Sequence, residues 1–247
     1  MSVLAWEGCV NVRDLGGLRT EGGGRTQPGR MIRADNIRRL SDEGWRALVD
    51  HGVARVLDLR FPQELAEDPP ADVPVEVVHV SLLGDRTEEW LAEFNAALDG
   101  ASSAEEYLVW SYLEFLDRYG PRFAQAFRAL AGAPDGAVVV HCVGGKDRTG
   151  LVVALALRLA GVPVDEVAAD YQLTEANLAP FNPAWVEAAS DGAERRRREL
   201  LLPAPAAAMR RVLDALEARY GGVDGYLYAS GVTEEELDRI RERLLGA

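Results

Sequence analysis

Three short runs of apolar residues, rich in Val and Leu, recur along the chain at 53–59, 75–80 and 137–140. Such runs predict buried strands. A Gly-rich stretch over 11–30 predicts turns, and we expect it to form a hairpin that leads into residues 31–33. The chain therefore supplies several strands for one sheet.

Between the strands, apolar residues recur at helical spacing. Ser41 is the expected cap of a helix that runs to about Asp50. The pattern predicts further helices at 87–98, 104–119, 121–130, 149–160, 165–178, 206–219 and 233–245. Strands that alternate with helices predict an α/β fold, in which helices flank a central, mostly parallel sheet. We expect residues 1–247 to form a single domain.

Residues 179–205 differ in composition from the rest of the chain. Four prolines surround a run of four arginines at 195–198. We predict a helical lid or a mobile excursion inserted into the domain, because Pro interrupts regular elements. A run of Arg is most often a solvated helix face, balanced here by Glu194 and Glu199. The alternative is a lid that brings one Arg to the substrate.

Charge and cysteine content exclude several classes of protein. The net charge of −13, from 27 basic and 40 acidic residues, argues against nucleic-acid binding and against stable membrane association. No stretch reaches the ~18 consecutive apolar residues of a membrane helix, so we expect a cytoplasmic protein. Two cysteines and three histidines predict neither a disulfide framework nor a zinc site. We expect no metal and no cofactor, and nothing in the sequence specifies an oligomeric state.

The stretch that carries the chemistry joins the third apolar run to a helix. Its sequence is His141-Cys142-Val143-Gly144-Gly145-Lys146-Asp147-Arg148-Thr149-Gly150. Two glycines permit a tight turn. Consecutive backbone N–H groups in such a loop form an anion-binding cradle at the positive end of the following helix. We therefore expect residues 143–149 to bind a phosphate group.

The same surroundings suit Cys142 to act as a nucleophile. A free thiol has a pKa of about 8.5, which a helix N-terminus and neighbouring cations lower, and the resulting thiolate can attack phosphorus. Arg148 can hold two phosphoryl oxygens with its planar fork, most strongly as charge spreads over them in the transition state. We expect the Thr149 hydroxyl to donate to the thiolate and His141 to orient the loop.

His-Cys, five residues and Arg-Thr-Gly form the signature of the protein tyrosine phosphatase superfamily, which this stretch resembles in full. The inner Gly-Lys-Asp resembles the atypical bacterial tyrosine phosphatases that also accept phosphoserine, phosphothreonine or phosphoinositides. Segments at 11–17, 56–60 and 220–245 resemble further parts of that family, so the resemblance covers nearly the whole chain. It implies a tyrosine-phosphatase-like fold and a phosphorylated substrate.

Two carboxylates are candidates for the general acid that protonates the leaving oxygen. Asp147 lies inside the loop, where the resembling family places its acid. Asp58 ends the strand at 53–59, and ligands bind at the carboxyl ends of parallel strands. We favour Asp147 and keep Asp58 as the alternative.

Other polar residues are expected near the site. Lys146 adds positive charge at its rim, and in phosphoinositide phosphatases with a similar loop a Lys here contacts ring phosphates. Arg13 and Asp14 either form an internal ion pair that fixes the Gly-rich turn or contact the substrate. Arg60 is expected to be structural, as the partner of Asp58 if that carboxylate is not catalytic.

These residues predict a cysteine-dependent phosphomonoesterase that hydrolyses phosphotyrosine-type protein substrates through a phosphocysteine intermediate. The alternative keeps the chemistry but takes a small-molecule phosphate, such as a nucleotide, a sugar phosphate or a phosphoinositide. A catalytically silent phosphate-binding module is disfavoured, because Cys142, Arg148 and Thr149 are all present.

Overall fold

A six-stranded sheet runs through the centre of the computed structural model, which describes residues 1–69, 73 and 75–246. Its strands are β1 (Ser2–Val3), β2 (Arg13–Asp14), β3 (Met31–Ala34), β4 (Val53–Asp58), β5 (Glu76–His79) and β6 (Ala137–His141). The strand order is β1-β2-β3-β6-β4-β5. Strands β3, β6, β4 and β5 are parallel, while β1 and β2 add an antiparallel edge. The mostly parallel sheet predicted from the sequence is confirmed.

Both faces of this sheet are buried, which explains the unbroken apolar runs. In β6, Val138 and Val140 contact one hydrophobic cluster and Val139 contacts the other, because successive side chains of a strand point to opposite faces. The smaller cluster also contains Trp6 and Leu48. The strands predicted at the three apolar runs are confirmed as β4, β5 and β6.

Helices cover both faces of the sheet. They are α1 (Asp42–Asp50), α2 (Pro62–Glu67), α3 (Glu88–Gly100), α4 (Ala104–Ala131), α5 (Asp147–Leu159), α6 (Val164–Leu178), α7 (Asn182–Glu187), α8 (Gly192–Leu200), α9 (Ala206–Tyr220), α10 (Val223–Ala229) and α11 (Glu234–Leu245), with a 3-10 turn at Ile37–Arg39. The expected cap of α1 is confirmed, since the Ser41 side chain accepts a hydrogen bond from Gly44 N. The sequence pattern predicts neither α2 nor α10.

One prediction about the helices is confirmed by the structure. The segments predicted as two helices at 104–119 and 121–130 lie within α4, whose backbone leaves the helical conformation at Tyr119 (φ −114°, ψ 20°), so that two helices join there at a kink. Pro121 favours this break because it lacks an N–H group and its ring clashes with the preceding turn. The break predicted from Pro121 therefore divides α4 into two helical halves.

The register of the sheet brings three strand ends to one edge. Ala34 of β3 and Asp58 of β4 both lie opposite His141, the last residue of β6. The loop that follows His141 thus leaves the sheet between two parallel neighbours. Ligands of open α/β sheets bind at this carboxyl edge.

Candidate active site

The loop between β6 and α5 is folded back tightly against the end of β3. Gly145 has φ +63°, a conformation that favours glycine. A Cβ atom at this position would lie 2.3 Å from the carbonyl oxygen of Ala34. Gly145 is therefore required both by its backbone conformation and by the closeness of the neighbouring strand.

Side chains from distant segments hold the carbonyl groups of the loop. Asn11 Nδ2 donates to the carbonyl oxygens of Gly144 (3.0 Å) and Gly145 (3.3 Å), and Arg33 Nη2 donates to that of Gly145 (2.7 Å). Among the described residues, the backbone N–H groups of 143–146 donate to no protein acceptor. The loop thus keeps consecutive donors available for an anion, as the sequence predicts.

Cys142 lies at the base of this loop. Its side chain is buried, with 2% of the residue exposed. The Thr149 hydroxyl, in the first turn of α5, is fully buried and has no hydrogen-bond partner among the described residues. A buried hydroxyl without a hydrogen-bond partner costs free energy, and a functional role can explain why this cost is tolerated. A thiolate or a phosphate group in the loop would supply its acceptor.

Arg148 is fixed by a carboxylate that sequence reasoning missed. Its Nη1 and Nη2 atoms donate to Glu64 Oε2 (2.5 Å) and Oε1 (3.0 Å), and its guanidinium lies 4.7 Å from the ring centre of Phe61. Burial lowers the pKa of Arg148, but Cys142 and Glu64 outweigh burial and raise it. The guanidinium is thus held charged and in one orientation beside the loop.

Glu64 also helps to form the helix that carries it. Its Oε2 atom accepts a hydrogen bond from the backbone N–H of Phe61 (2.8 Å), at the start of α2. Pro62 occupies the first turn of this helix. A Pro at the first helical position with Glu at the third is a recognised signal for a helix N-terminus, and this signal could have located α2 and Glu64.

Asp58 is buried and fully engaged. Its oxygens accept hydrogen bonds from Arg60 Nε (3.0 Å) and Nη2 (2.7 Å), and His141 Nε2 lies 3.6 Å away. Burial raises the pKa of Asp58, but His141 and Arg60 together hold the pKa below its ordinary value. A carboxylate held ionised in this way is a poor proton donor.

The other supporting contact lies at the start of the loop. His141 Nδ1 is 3.1 Å from the carbonyl oxygen of Cys142, and burial lowers the pKa of the imidazole. A neutral, buried ring that bonds to the backbone of the loop is consistent with the orienting role expected for it.

Asp147 has different surroundings, because 44% of its side chain is exposed. Its Oδ1 atom accepts a hydrogen bond from the Tyr112 hydroxyl at 2.6 Å. Lys146 Nζ lies 3.9 Å from the same oxygen. Of the two candidate acids, Asp147 is the one that solvent, and hence a leaving group, can reach.

The expected ion pair between Arg13 and Asp14 is absent, and this alternative is wrong. Asp14 accepts hydrogen bonds from the backbone N–H groups of Gly16 (2.8 Å) and Gly29 (2.7 Å), so it fixes the Gly-rich turn alone. Arg13 instead forms an ion pair with Asp170 (2.9 Å). Neighbouring residues of a strand point to opposite faces, which separates the two side chains.

Asp170 joins two buried arginines beneath the loop. Arg33 Nη1 donates to its second oxygen at 2.5 Å, and all three side chains are at most 1% exposed. Burial raises the pKa of Asp170, but Arg33 and Arg13 outweigh it and lower the pKa. Two guanidinium groups therefore share the Asp170 carboxylate, and the buried Asp35 is a further carboxylate whose charge acts on Arg13.

Lys146 does not project from the rim of the site. Its residue is 6% exposed, and its Nζ atom donates to the carbonyl oxygen of Leu201 at 2.5 Å. Burial lowers the pKa of its ammonium group. The side chain therefore connects the loop to the end of the segment at 179–205.

That segment contains the short helices α7 and α8. Arg197 forms an ion pair with Asp99 of α3 (2.5 Å), and Arg198 forms one with Glu194 of its own helix. These ion pairs fit the solvated, charge-balanced face that the sequence pattern favours.

Two further features concern possible metal sites and membrane-spanning helices. Within residues 1–69, 73 and 75–246, no group of three or more His, Cys, Asp or Glu side chains could hold a metal ion. In the same part of the chain, no helix is long and apolar enough to cross a membrane.

Comparisons with known proteins agree on one family. The sequence profile of the tyrosine phosphatase family matches residues 4–246. A tyrosine-protein phosphatase of Nostoc commune is 31% identical over 230 residues, which cover 87% of this chain and 74% of that protein. The triple specificity protein phosphatase PtpB of Mycobacterium tuberculosis is 30% identical over 288 residues, which cover 100% of both chains.

Proposed function

Because this chain belongs to the tyrosine phosphatase family and is a cysteine-based tyrosine phosphatase, we propose that Cys142 is its nucleophile. Residues 143–149 bind the phosphate group of the substrate, with Arg148 as the residue that grips it. The observation that carries the proposal is the row of backbone N–H groups at 143–146 that donate to no acceptor in the described residues.

In the first step, the Cys142 thiolate attacks phosphorus and the bond from phosphorus to the leaving oxygen breaks. Asp147 gives its proton to that oxygen, so an alcohol or phenol leaves. Arg148, fixed by Glu64, stabilises charge on the equatorial oxygens in the transition state. The product of this step is a phosphocysteine.

In the second step, water attacks the phosphocysteine and Asp147 accepts a proton from that water. The bond from sulfur to phosphorus breaks, and the thiolate leaves. The buried Thr149 hydroxyl, which lacks an acceptor among the described residues, donates to the departing thiolate. Inorganic phosphate is released and the free enzyme is regenerated.

Asp147 is preferred to Asp58 as the general acid for two reasons. Its side chain is 44% exposed, whereas that of Asp58 is 2% exposed. Arg60 also binds the Asp58 carboxylate and keeps it ionised. Asp58 then serves to position Arg60 and His141 behind the loop.

The proposed substrate is a phosphotyrosine side chain of a protein. Cys142 is 2% exposed, so the phosphate must reach into the loop, which favours a group carried on a long side chain. The relative from Mycobacterium tuberculosis is named a triple specificity phosphatase, so a substrate panel should also include phosphoserine, phosphothreonine and phosphoinositides.

We also propose that residues 1–247 act as one phosphatase domain and that 179–205 is its lid. Support comes from the bond between Lys146 and the Leu201 carbonyl and from the bond between Ala204 N and Glu175 Oε2 at 2.9 Å. Both contacts anchor the end of the segment next to the phosphate-binding loop. Substrate entry would then depend on the position of residues 179–205 relative to the phosphate-binding loop.

The test compares Cys142→Ser with Cys9→Ser. Burial raises the pKa of the Cys9 thiol, so this second cysteine is a matched control without nucleophilic character. Hydrolysis of p-nitrophenyl phosphate and of a phosphotyrosine peptide, with a chelator present, should fall by about 10⁴-fold or more in Cys142→Ser. Cys9→Ser should keep the activity. Turnover retained by Cys142→Ser would refute the proposal.

A further inference from the structure

Two buried tyrosines lie behind the carboxylate of Asp147. Tyr112 on α4 is 0% exposed and Tyr171 on α6 is 1% exposed. The Tyr112 hydroxyl donates to Asp147 Oδ1 at 2.6 Å, and the two tyrosine oxygens are 2.7 Å apart. Because the single hydroxyl proton of Tyr112 is used on Asp147, Tyr171 must be the donor in the second bond.

We propose that Tyr112, supported by Tyr171, is a positioning residue for the general acid of this enzyme. The inference rests on the proposed function, in which Asp147 is that acid. The chain of two hydroxyl groups fixes Oδ1 and selects Oδ2 as the oxygen that carries the transferred proton.

The geometry around the carboxylate separates its two oxygens. Two polar groups, Tyr112 and Lys146, approach Oδ1, at 2.6 and 3.9 Å. Among the described residues, Oδ2 of Asp147 has no hydrogen-bond partner. The oxygen that has no hydrogen bond to the described residues is the one that can receive a proton and pass it to a leaving group.

Burial keeps both tyrosines in the protonated form that donates. Burial, together with the nearby charge of Asp147, raises the pKa of Tyr112 and the pKa of Tyr171 above the ordinary value for a phenol. Neither hydroxyl loses its proton at neutral pH, so each remains a donor throughout the reaction.

Gly150, the last residue of the loop motif, makes room for this arrangement. A Cβ atom on Gly150 would lie 3.1 Å from the ring of Tyr171, which is closer than ordinary packing allows. The glycine therefore lets Tyr171 approach the first turn of α5, where Asp147 is located.

The hydrogen bond should matter most when the leaving group is a strong base. As the proton leaves Oδ2, negative charge develops on the Asp147 carboxylate, and the Tyr112 hydroxyl stabilises that charge. A nitrophenolate leaves readily without a proton, whereas phenolate, with a conjugate acid of pKa about 10, needs one. Loss of Tyr112 should therefore have an effect that depends on the leaving group.

The experiment measures kcat/KM for a series of aryl phosphates, from p-nitrophenyl phosphate to phenyl phosphate. In Tyr112→Phe, we expect about a tenfold loss for phenyl phosphate, the size expected for one hydrogen bond to a charged group. For p-nitrophenyl phosphate we expect little change. Tyr171→Phe should act in the same direction with a smaller effect.

Tyr226→Phe is the matched control. The Tyr226 hydroxyl is also buried and donates to the carbonyl oxygen of Leu116 at 3.0 Å, one helical turn after Tyr112 on α4. Removing it also costs one buried hydrogen bond but should leave kcat/KM unchanged across the series. A leaving-group dependence in this control would overturn the inference, because it would show a general structural effect.

Asp147→Asn completes a double-mutant cycle. It should show the steepest leaving-group dependence, and adding Tyr112→Phe should cause no further loss, because Tyr112 acts only through the carboxylate. A uniform loss in Tyr112→Phe, or an equal loss in the Asp147→Asn background, would overturn the positioning role and leave Asp147 as the acid. If Asp147→Asn showed the same dependence of kcat/KM on the leaving group as the wild type, the assignment of Asp147 as the acid would be overturned as well. The assignment of Cys142 as the nucleophile is tested separately by Cys142→Ser.

Discussion

Gly145 shows how closely one residue can be constrained by its surroundings. Its φ is +63°, and the carbonyl oxygen of Ala34 lies 2.3 Å from the point that a Cβ atom would occupy, which leaves no room for a side chain. We predict that Gly145→Ala lowers the free energy of unfolding by at least ~2 kcal/mol. The melting temperature should fall by about 4–8 °C, as scanning calorimetry can measure.

Gly144 provides the control for this prediction. A Cβ atom there would make an ordinary contact, 3.6 Å from Leu178 Cδ1, and its φ is not positive. Gly144→Ala should therefore melt within about 2 °C of the wild type. Equal melting temperatures for the two variants would contradict the steric argument.

At the residue scale, the sequence can predict proximity only for residues that lie close together along the chain. Cys142, Arg148 and Thr149 lie within one loop, so their spacing alone predicts their proximity. Asp170 and Tyr112 could not be found in this way, because their partners Arg13 and Asp147 are 157 and 35 residues away. An Asp in a predicted helix has no sequence signal for burial between two arginines.

At the scale of elements, α2 combines two functions in one carboxylate. Glu64 binds the Arg148 guanidinium and also accepts from Phe61 N at the start of the helix. Burial raises the pKa of Glu64, but the hydrogen bond and charge of Arg148 outweigh it and lower the pKa. Glu64 is therefore ionised at neutral pH, and its charge is part of what holds Arg148.

We predict that Glu64→Gln lowers kcat/KM for a phosphotyrosine peptide by about tenfold, because the amide no longer offers two charged acceptors to the guanidinium. Stability should fall by only about 1 kcal/mol, since the amide oxygen can still cap α2. Steady-state kinetics and thermal melting measure the two effects. Glu67→Gln, at the exposed end of the same helix, should change neither quantity, and a kinetic loss in this control would argue against a specific role for Glu64.

Elements were predictable where burial imposes a long or continuous apolar pattern. Strands β4 and β6 are apolar because both faces of the sheet are covered, so their sequences reveal them. Helix α2 has six residues and none that is buried, and it therefore has no apolar stripe to detect. The break in α4 was predictable as well, because Pro121 disrupts the helical hydrogen bonds around Tyr119.

At the scale of the whole molecule, the buried cluster of Arg13, Arg33 and Asp170 ties β2 and β3 to α6. The pKa of Asp170 is lowered on folding, relative to about 3.9 in the unfolded chain. A carboxylate with a depressed folded pKa stabilises the fold above its unfolded pKa, and this contribution is lost as the pH falls. Asp170 should therefore help to set the acid limit of stability.

We predict that Asp170→Asn lowers the free energy of unfolding by about 3 kcal/mol at pH 7, because two buried guanidinium groups lose their counterion. The difference from the wild type should shrink as the pH falls below about 4. Denaturant titrations between pH 7 and pH 3 measure both results. Asp165→Asn on the same helix removes an exposed pair with Arg210 and should cost less than about 1 kcal/mol. A gap between Asp170→Asn and the wild type that widens towards acid would contradict the assigned sign.

The bonds from Asn11 to the phosphate-binding loop have a consequence for the order of folding. Asn11 and Gly144 are 133 residues apart, and Arg13 and Asp170 are 157 apart. Contacts of such long sequence separation form late and slow the folding of a domain. During synthesis from the N-terminus, Asn11 must therefore wait for the loop, and Arg13 must wait for α6. Cys142 can acquire its full set of folded neighbours only when about two thirds of the chain has been made, so a partly synthesised chain holds this cysteine outside its folded surroundings.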